Sequence, residues 1–291
     1  MGTYLTAHPP TPVQEQNGVR IRYFRKMDSP AVRDLFLVAI GTGPGSPREV
    51  ALKESLSWPL AYLVYALSLL GLATLALWPG HKTLGFLLTL GVPGMFLRYR
   101  HQMSRGFMDY CYGALRQDLA DIAGHYGMEP VNGSREDFAP VGASAFWVVE
   151  CTSRDGRGVE IVGCIGLGAI RRDYLPHSRW PMFTHNNTTI CGHHADCGNK
   201  DGELLGELRR MAVSPHCRRM GIGALLVQTL IDHAKVNGVR MVLLSTTEYQ
   251  RPAIRMYLKH GWVESHKEVV TAALGLFKVV MLHFRLDLLS S

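Results

Sequence analysis

The segment "ELRRMAVSPHCRRMGIGALLV", residues 207–227, carries the clearest structural signal in this 291-residue chain. It begins as a strand and continues, after a short turn, into the apolar periodicity of a helix. The turn contains "RRMGIG", residues 218–223, where Gly221 and Gly223 lack a Cβ and let a ligand approach the main chain closely. N–H groups at a helix start favour an anion such as a diphosphate, and the two arginines add charge. The segment therefore predicts a strand–turn–helix unit that binds a phosphorylated ligand.

The sequence around this unit alternates between strand patterns and helix patterns. A regular succession of both kinds predicts an α/β fold, with a sheet covered by helices. The expected strands cover 19–24, 144–150, 159–170, 203–213, 239–246 and 276–288, and the expected helices cover 28–40, 104–126, 222–237 and a segment that ends near Gly261.

Two uncharged runs interrupt this alternation. Ser55–Gly80 would reach roughly 39 Å as a helix, more than a bilayer core requires, and Thr83–Leu97 would reach about 22 Å, slightly less than one requires. Prolines at 59, 79 and 93 are expected to break the runs. We interpret 55–97 as a membrane-associated helical hairpin, spanning or re-entrant. The alternative is a buried helical hairpin in a soluble core.

Charges beside this hairpin predict its orientation. Cytoplasmic flanks of membrane helices carry an excess of lysine and arginine, so both chain ends are expected in the cytosol. Sequons at Asn132, Asn186 and Asn187 would be glycosylation sites only if the main domain were lumenal. The flanking positive residues are Lys53, Arg98, Arg100 and Arg105.

Composition narrows the class of protein. The net charge of +7 suits an anionic ligand, a membrane surface or nucleic acid, but no basic-and-aromatic recognition motif accompanies it, so no nucleic-acid partner is expected. Six scattered cysteines are too few for a disulfide scaffold and indicate a reducing compartment. Residues 1–18 are polar and contain proline, which predicts a flexible tail.

The glycine-containing turn resembles a known motif. Residues 218–223 resemble the acetyl-CoA pyrophosphate motif of the GNAT N-acetyltransferase superfamily, and 207–262 resemble its strand–loop–helix–strand–helix core. "MYLKHGW", residues 256–262, resembles the superfamily's "LYxxxGF" ending. This resemblance implies the GNAT fold, a mixed central sheet flanked by helices, and acetyl-CoA as co-substrate.

A closer resemblance covers nearly the whole chain from residue 19. The hairpin after the first strand, "DLADI" at 118–122 and "SAFWV" at 144–148 resemble the camello-like branch, which includes cysteine-S-conjugate and aspartate N-acetyltransferases of the endoplasmic reticulum. The resemblance implies an N-acetyltransferase domain over 19–291, interrupted by the 55–97 hairpin and a loop insertion at 173–202. With the charge argument, it implies an endoplasmic reticulum membrane protein whose catalytic domain faces the cytosol.

The same resemblance assigns roles to individual residues. Glu207 corresponds to the catalytic glutamate of some members, and Tyr257 resembles the tyrosine that protonates the departing thiol, as the chemistry of amine acetylation requires. The alternatives are a surface carboxylate and a tyrosine packed on the sheet. Gln250 takes the place of a coenzyme-contacting asparagine. The coenzyme-binding residues implied are Met211, Ala212, Val213, Arg218, Arg219, Met220, Gly221, Ile222, Gly223, Ala224 and Gln250.

Strand periodicity suggests an acceptor contact. Glu207 and Arg209 share one face of a regular strand, and Leu208 and Arg210 share the other. Arg209 would hold the carboxylate of an amino-acid-like acceptor while Glu207 takes the amine proton. The alternatives are a plain Glu–Arg pair and a bulge that changes the parity. The acceptor is thus expected to be a small amine; protein lysine, or an inactive membrane scaffold of this fold, stays open.

The 173–202 stretch contains a group of residues that metals favour. Zinc binds cysteine and histidine, but C-x5-C is not a usual zinc-finger spacing, so we expect a polar loop on the substrate side and no metal. A disulfide within the stretch would require a lumenal domain. The residues concerned are His185, Cys191, His193, His194 and Cys197.

Overall fold

The computed structural model describes residues 14–16, 18–152, 158–171, 204–272 and 277–288. The expected loop insertion at 173–202 lies outside the described residues, with its cysteines, its histidines and two of the sequons. The expected tail over 1–18 is described only in part. Within that part Gln14–Gln16 form a strand paired with Val19–Ile21, so these residues belong to the sheet.

The molecule is built on a mixed β-sheet, with a small two-stranded ribbon beside it. The strands are β1 Gln14–Gln16, β2 Val19–Tyr23, β3 Met128–Pro130, β4 Phe138–Pro140, β5 Ala145–Thr152, β6 Val159–Arg171, β7 Leu204–Val213, β8 Met241–Thr247, β9 Val263–Ala272 and β10 Phe277–Asp287. Their order in the large sheet is β1-β2-β5-β6-β7-β8-β10-β9, and β3 and β4 form the ribbon. All neighbouring strands in the large sheet are antiparallel except β7 and β8, which are parallel.

Helices cover both faces of the sheet. A Cβ at Gly163 would meet the helix that begins at Ile222, whereas a Cβ at Gly166 would meet Tyr126, so these two sides of β6 face different layers. The predicted α/β architecture is confirmed. The helices are α1 Ser29–Leu37, α2 Pro47–Glu54, α3 Pro59–Leu77, α4 Lys82–Phe86, α5 Val92–Arg116, α6 Ile122–His125, α7 Ile222–Val236 and α8 Arg251–Lys259.

The expected helix over 104–126 is two helices. α5 ends at Arg116, and α6 begins separately because the Asp121 carboxylate accepts a hydrogen bond from Gly124 N–H at 3.0 Å and caps it. Asp118 lies in the connection between them and turns inward. Strand β9 is an element that the sequence patterns did not predict.

Strands β7 and β8 separate along their length. In the described part of the chain they pair only from Leu205 to Glu207, although β7 continues to Val213 and β8 to Thr247. The side of β7 that faces β8 is therefore unpaired from Leu208 onward, and we call this side the open edge. Its main-chain N–H and C=O groups are available to a ligand that enters between the two strands.

A bulge interrupts β7 at Arg210. Cys164 pairs with Ala212 and Gly166 pairs with Arg209, so three steps along β7 match two along β6. Arg210 absorbs the extra residue with a φ of 52°, a left-handed conformation that is uncommon for a non-glycine residue. The bulge lies after Arg209 and leaves the register of the preceding residues unchanged.

The 55–97 segment forms two packed helical arms. The first arm is α3. Within the described residues it is the one helix long and apolar enough to cross a membrane, and about a fifth of its residues are buried. The second arm begins with α4 and does not end at Pro93. A π turn at Leu87–Gly91, in which Val92 N–H bonds to Leu87 C=O, accommodates the proline, and the helix continues into α5. Our expectation that Pro93 breaks the run was wrong.

Candidate active site

The glycine turn, residues 218–223, joins the end of the open edge to α7. Gly221 has a φ of +81° and stands at the N-terminus of α7, where no side chain caps the first helical N–H groups. Arg219 is exposed and also has a positive φ, of 68°. A Cβ at Gly221 would meet no atom within 4 Å, so the space beside the helix start is open. The uncapped N–H groups and the helix dipole make this turn an anion site.

The expected coenzyme-binding residues lie along one continuous path. Met211, Ala212 and Val213 occupy the last part of the open edge, directly before the glycine turn. Gly223 lies in the first turn of α7, and a Cβ there would approach Met256 Sδ to 3.0 Å and Met211 Cε to 3.2 Å. The structure therefore brings β7, the turn and α8 together. Met220 is exposed, Ile222 is buried and Ala224 is half-buried.

Gln250 stands at the start of α8. Its N–H donates to Thr247 C=O at 3.0 Å, and its own C=O accepts from Ile254 N–H as the helix begins. The side chain makes no capping bond and is half-buried. Gln250 therefore follows the end of β8, which separates from β7 at the open edge.

The Arg218 side chain bonds to a distant part of the main chain. Its Nη1 donates to Pro44 C=O at 2.9 Å and to Gly45 C=O at 3.1 Å, and its Nη2 donates to Ala39 C=O at 3.4 Å. Of the two arginines in the glycine turn, Arg219 is the more exposed.

Glu207 and Arg209 lie on the same side of β7, as their spacing predicts. Arg209 Nε is 3.6 Å from Glu207 Oε2, and both side chains are largely buried. Arg209 Nη1 also lies 3.2 Å from His125 Nε2. A guanidinium only donates, so His125 Nε2 accepts and the ring is neutral with its proton on Nδ1. We call this side of β7, which faces α6, the α6 face.

Arg210 also lies on the α6 face, because of the bulge. Its Nε donates to Asp118 Oδ2 at 2.7 Å and its Nη1 donates to Tyr110 Oη at 3.0 Å. The expectation that Leu208 and Arg210 share a face is therefore wrong. Leu208 packs in the hydrophobic core, whereas Arg210 Cζ lies 5.6 Å from the centroid of the Phe36 ring.

Asp118 is the buried counter-charge of this network. It is 1% exposed, and it accepts a further hydrogen bond from Tyr126 Oη at 3.1 Å. Burial opposes its ionisation, but the charge and hydrogen bond of Arg210 outweigh burial and lower the pKa of Asp118. Burial also lowers the pKa of His125, although the Asp118 charge opposes that shift. Both groups are therefore held in the protonation states that the hydrogen bonds require.

Tyr257 lies beside the open edge. Its hydroxyl is 3.2 Å from Met211 Sδ, and the side chain is buried. Burial, with a smaller effect of Tyr110, raises the pKa of Tyr257 well above its usual value, so the hydroxyl keeps its proton at neutral pH.

Sequence reasoning missed several partners at this site. His125 and Tyr126 come three and four residues after "DLADI". Nothing in their spacing indicates that they meet β7, and His125 and Arg209 are 84 residues apart in sequence. Helical periodicity placed Tyr110 in a helix, but nothing in the sequence indicated its contact with Arg210. The described residues contain no group of three or more His, Cys, Asp or Glu side chains arranged to hold a metal.

Comparisons with known proteins give matches to one protein family. A sequence model described as "Acetyltransferase (GNAT) family" matches residues 112–262, more than half of the chain. "Probable N-acetyltransferase camello" of Xenopus tropicalis is 27% identical over 254 residues, 87% of this chain and 89% of that protein. N-acetylaspartate synthetase of Danio rerio is 25% identical over 251 residues, 86% of this chain and 68% of that protein. Arabidopsis thaliana NAA60, solved with acetyl-CoA, is 16% identical with a TM-score of 0.38, covering 50% of this chain and 77% of that one.

Proposed function

The chain belongs to the acetyltransferase (GNAT) family, an acetyl-CoA-dependent family of the GNAT fold, and from this premise we propose a membrane-anchored enzyme that acetylates the amine of a small amino-acid-type acceptor. One observation carries the proposal: Glu207 and Arg209 stand side by side on the α6 face of the strand that also has the open edge. An acid–base group and a carboxylate-binding group thus lie on the strand from which the acetyl donor would be held.

Acetyl-CoA would lie along the open edge and the glycine turn. The main chain of Met211, Ala212 and Val213 would bind its pantetheine arm, because these groups have no β8 partner. The turn from Arg219 to Ala224 would bind the diphosphate through N–H groups at the start of α7. Gln250 would make a further contact from the start of α8.

Amine acetylation requires two proton movements, and this chain has a group for each. Acetyl-CoA supplies the thioester to be attacked. Glu207 would accept the proton of the acceptor amine, directly or through water. N–H groups of the open edge would stabilise the developing oxyanion. Tyr257, which keeps its proton because burial raises its pKa, would protonate the departing thiolate.

Arg209 would bind the carboxylate of the acceptor. Its hydrogen bond to His125 and its proximity to Glu207 fix the guanidinium while other N–H donors stay available. The relative from Danio rerio is named for a product of aspartate acetylation, which supports an acceptor with an amine beside a carboxylate. A cysteine S-conjugate has the same two groups.

An acceptor screen tests this proposal. We would supply acetyl-CoA with S-benzylcysteine, aspartate, spermidine or a lysine peptide and measure release of the coenzyme thiol. We expect turnover with an α-amino acid. Preference for the lysine peptide would indicate a protein acetyltransferase instead, and coenzyme binding without turnover of any amine would indicate an inactive scaffold.

The Arg209→Ala variant tests the carboxylate contact. Loss of a charged partner should lower kcat/KM for the amino acid roughly tenfold to a hundredfold, which corresponds to about 1.5–3 kcal/mol of transition-state stabilisation. The loss should nearly vanish for its amide analogue, which has no carboxylate. Arg255→Ala, exposed on α8, is the control. Equal losses for acid and amide would make Arg209 a structural residue.

The surface of the 55–97 segment supports membrane anchoring. The two arms touch through small residues: a Cβ at Gly71 would lie 2.5 Å from Thr89 Oγ1, and one at Gly85 would lie 2.6 Å from Leu75 Cγ. The Ser68 hydroxyl donates to a carbonyl of its own helix. The outward side chains are apolar and more than half exposed, among them Leu63, Leu69, Leu72, Phe86, Leu87 and Leu90.

The length and flanks of the arms support a membrane hairpin with both ends on the cytosolic side. α3 is about 28 Å long, close to the thickness of a bilayer core. Trp58 and Trp78 border it, where indole rings favour the membrane interface. The acetyltransferase domain over 19–291, interrupted by this hairpin, would then lie on the cytosolic side of the endoplasmic reticulum membrane, the location that the camello-like resemblance implies.

Carbonate extraction and protease protection in sealed microsomes test this topology. We expect the full chain to stay with the membrane and its catalytic domain to be digested from outside. Release by carbonate would exclude an embedded hairpin. A glycan at Asn186 would place the domain in the lumen instead.

A further inference from the structure

Arg218 occupies the first position of the glycine turn, yet its guanidinium bonds to a distant segment of the main chain. Two of its nitrogens donate to three main-chain carbonyls of the 39–45 segment, at Ala39, Pro44 and Gly45. Those carbonyls are 173 to 179 residues away in sequence. The arginine therefore joins the connection between α1 and α2 to the turn that precedes α7.

The 39–45 segment is shaped to fit this contact. A Cβ at Gly43 would lie 2.6 Å from Val38 C=O and 3.2 Å from Pro215 Cγ, so no larger residue fits between the segment and the turn. Gly45 has a φ of +66°, and its Cβ would lie 2.8 Å from Arg218 Nη1. Both glycines are thus needed for the close approach of the segment to residues 215–218.

The segment also lies between two other parts of the molecule. α1, which precedes it, presents Phe36 to the Arg210 guanidinium on the α6 face, at 5.6 Å. After it, Arg48 of α2 donates to Ser104 of α5 at 2.8 Å and back to Gly41 C=O at 3.2 Å. Movement of the segment would therefore displace a wall of the α6 face.

We propose that Arg218 is a positioning residue that fastens the 39–45 segment to the glycine turn, and that it is not a ligand of the coenzyme diphosphate. The diphosphate is then held by main-chain N–H groups at the start of α7 and by the exposed Arg219. Loss of Arg218 loosens the wall of the α6 face and leaves the anion site intact. The kinetic consequence rests on the proposed function, because it assumes that the acceptor binds at the α6 face.

Three variants, compared with the wild type, separate the two roles of a turn arginine. Acetyl-CoA affinity is measured by calorimetry for wild type, Arg218→Gln, Arg219→Gln and Gly221→Val. We expect Arg218→Gln to change the Kd by less than about threefold, Arg219→Gln to weaken it about tenfold as a lost charge-assisted contact, and Gly221→Val to abolish binding. A tenfold or greater loss in Arg218→Gln would make Arg218 a phosphate ligand and overturn the proposal.

Acceptor kinetics provide the second measurement, with aspartate or S-benzylcysteine, whichever the wild type acetylates, at saturating acetyl-CoA. Arg218→Gln should raise the acceptor KM about tenfold with a smaller change in kcat, and Arg218→Lys should recover part of the loss because an ammonium still donates to carbonyls. An unchanged acceptor KM would contradict the proposal.

Amide hydrogen exchange tests the contact between Arg218 and the 39–45 segment without a measurement of enzyme activity. The amides of Gly43, Gly45 and Ser46 should exchange faster in Arg218→Gln than in wild type or Arg219→Gln, with no coenzyme present. Unchanged exchange would show that Arg218 does not fasten the segment. If the wild type acetylates neither amino acid, the acceptor assignment fails, while the exchange and calorimetry still decide the role of Arg218.

Discussion

The 55–97 segment and the α6 face of β7 depart from the usual distribution of side chains in opposite directions. The segment turns apolar residues outward: Leu69 and Leu87 are 66% and 63% exposed. The α6 face turns charges inward: Asp118 is 1% exposed, and the Arg210 side chain is 7% exposed. A soluble surface and an apolar core would show the reverse.

Each departure requires a partner that covers or neutralises the side chains. Apolar side chains this dense on a surface are stable when lipid or another apolar surface covers them. Buried charges are stable when a counter-charge and hydrogen bonds satisfy them. Asp118 and Tyr110 satisfy Arg210 in this way, and Tyr126 donates a further hydrogen bond to Asp118. Removal of the partner should therefore cost most where charge is buried and next most where lipid is expected.

The largest effect is expected from Asp118→Asn. It leaves the buried Arg210 guanidinium without its counter-charge, which should lower the free energy of unfolding by about 3–5 kcal/mol. Asp137→Asn, which removes a half-exposed partner of Arg25, should cost at most about 1 kcal/mol. Denaturant unfolding in mild detergent measures both. Equal small losses would show that the buried pair does not stabilise the α6 face.

This pair also gives a pH dependence. The pKa of Asp118 is lowered in the folded state, so the pair stabilises the protein above the usual aspartate pKa of about 3.9. The contribution is lost as pH falls through the lowered pKa. The wild type should lose more stability on acidification than Asp118→Asn, as unfolding midpoints between neutral and acidic pH would show.

The next effect is expected from Leu69→Lys, near the middle of α3. A lysine at the centre of a bilayer costs about 2.5–3.5 kcal/mol of insertion free energy. A larger share of this variant than of the wild type should therefore appear in the soluble fraction. Leu258→Lys is the matched control, because Leu258 is 51% exposed on α8 of the catalytic domain. If both variants partition alike, water rather than lipid surrounds the 55–97 segment.

A smaller effect, mainly on the catalytic rate, is expected from Glu207→Gln. Loss of a general base should lower kcat about a hundredfold, most strongly at low pH, where the acceptor amine is protonated. The free energy of unfolding should fall by less than in Asp118→Asn, because Glu207 lies 3.6 Å from Arg209 and both side chains are less buried than the Arg210–Asp118 pair. Glu160→Gln, an exposed carboxylate on β6, serves as the control for a strand glutamate. Wild-type turnover would assign proton removal to water or another group.

The smallest effect is expected from Tyr257→Phe. Water can replace a lost proton donor in part, so we expect about a tenfold fall in kcat, equivalent to one neutral hydrogen bond. Because burial raises the pKa of Tyr257, the wild-type rate should not decline from its ionisation until well above neutral pH. Tyr112→Phe, half-exposed on α5, is the control. A pH–rate profile that is identical in both variants would remove Tyr257 from the proton pathway.

The sequence by itself determined the features that depend on neighbouring residues. The glycine turn follows from Gly221, whose positive φ and missing Cβ suit a tight strand–helix connection. The shared side of Glu207 and Arg209 follows from the two-residue period of a strand, since the bulge comes after both. The two apolar arms follow from uncharged runs, whose length and composition are read directly from the chain.

Only the tertiary structure decided which distant residues meet. The bulge at Arg210 reversed the side on which its guanidinium lies and joined it to Asp118, 92 residues earlier in the chain. The π turn before Pro93 kept a helix continuous where a proline predicted a break. Arg218, expected at a phosphate, bonds to carbonyls of the 39–45 segment. Such contacts depend on strand register and on packing between separate elements, which local propensity and periodicity do not encode.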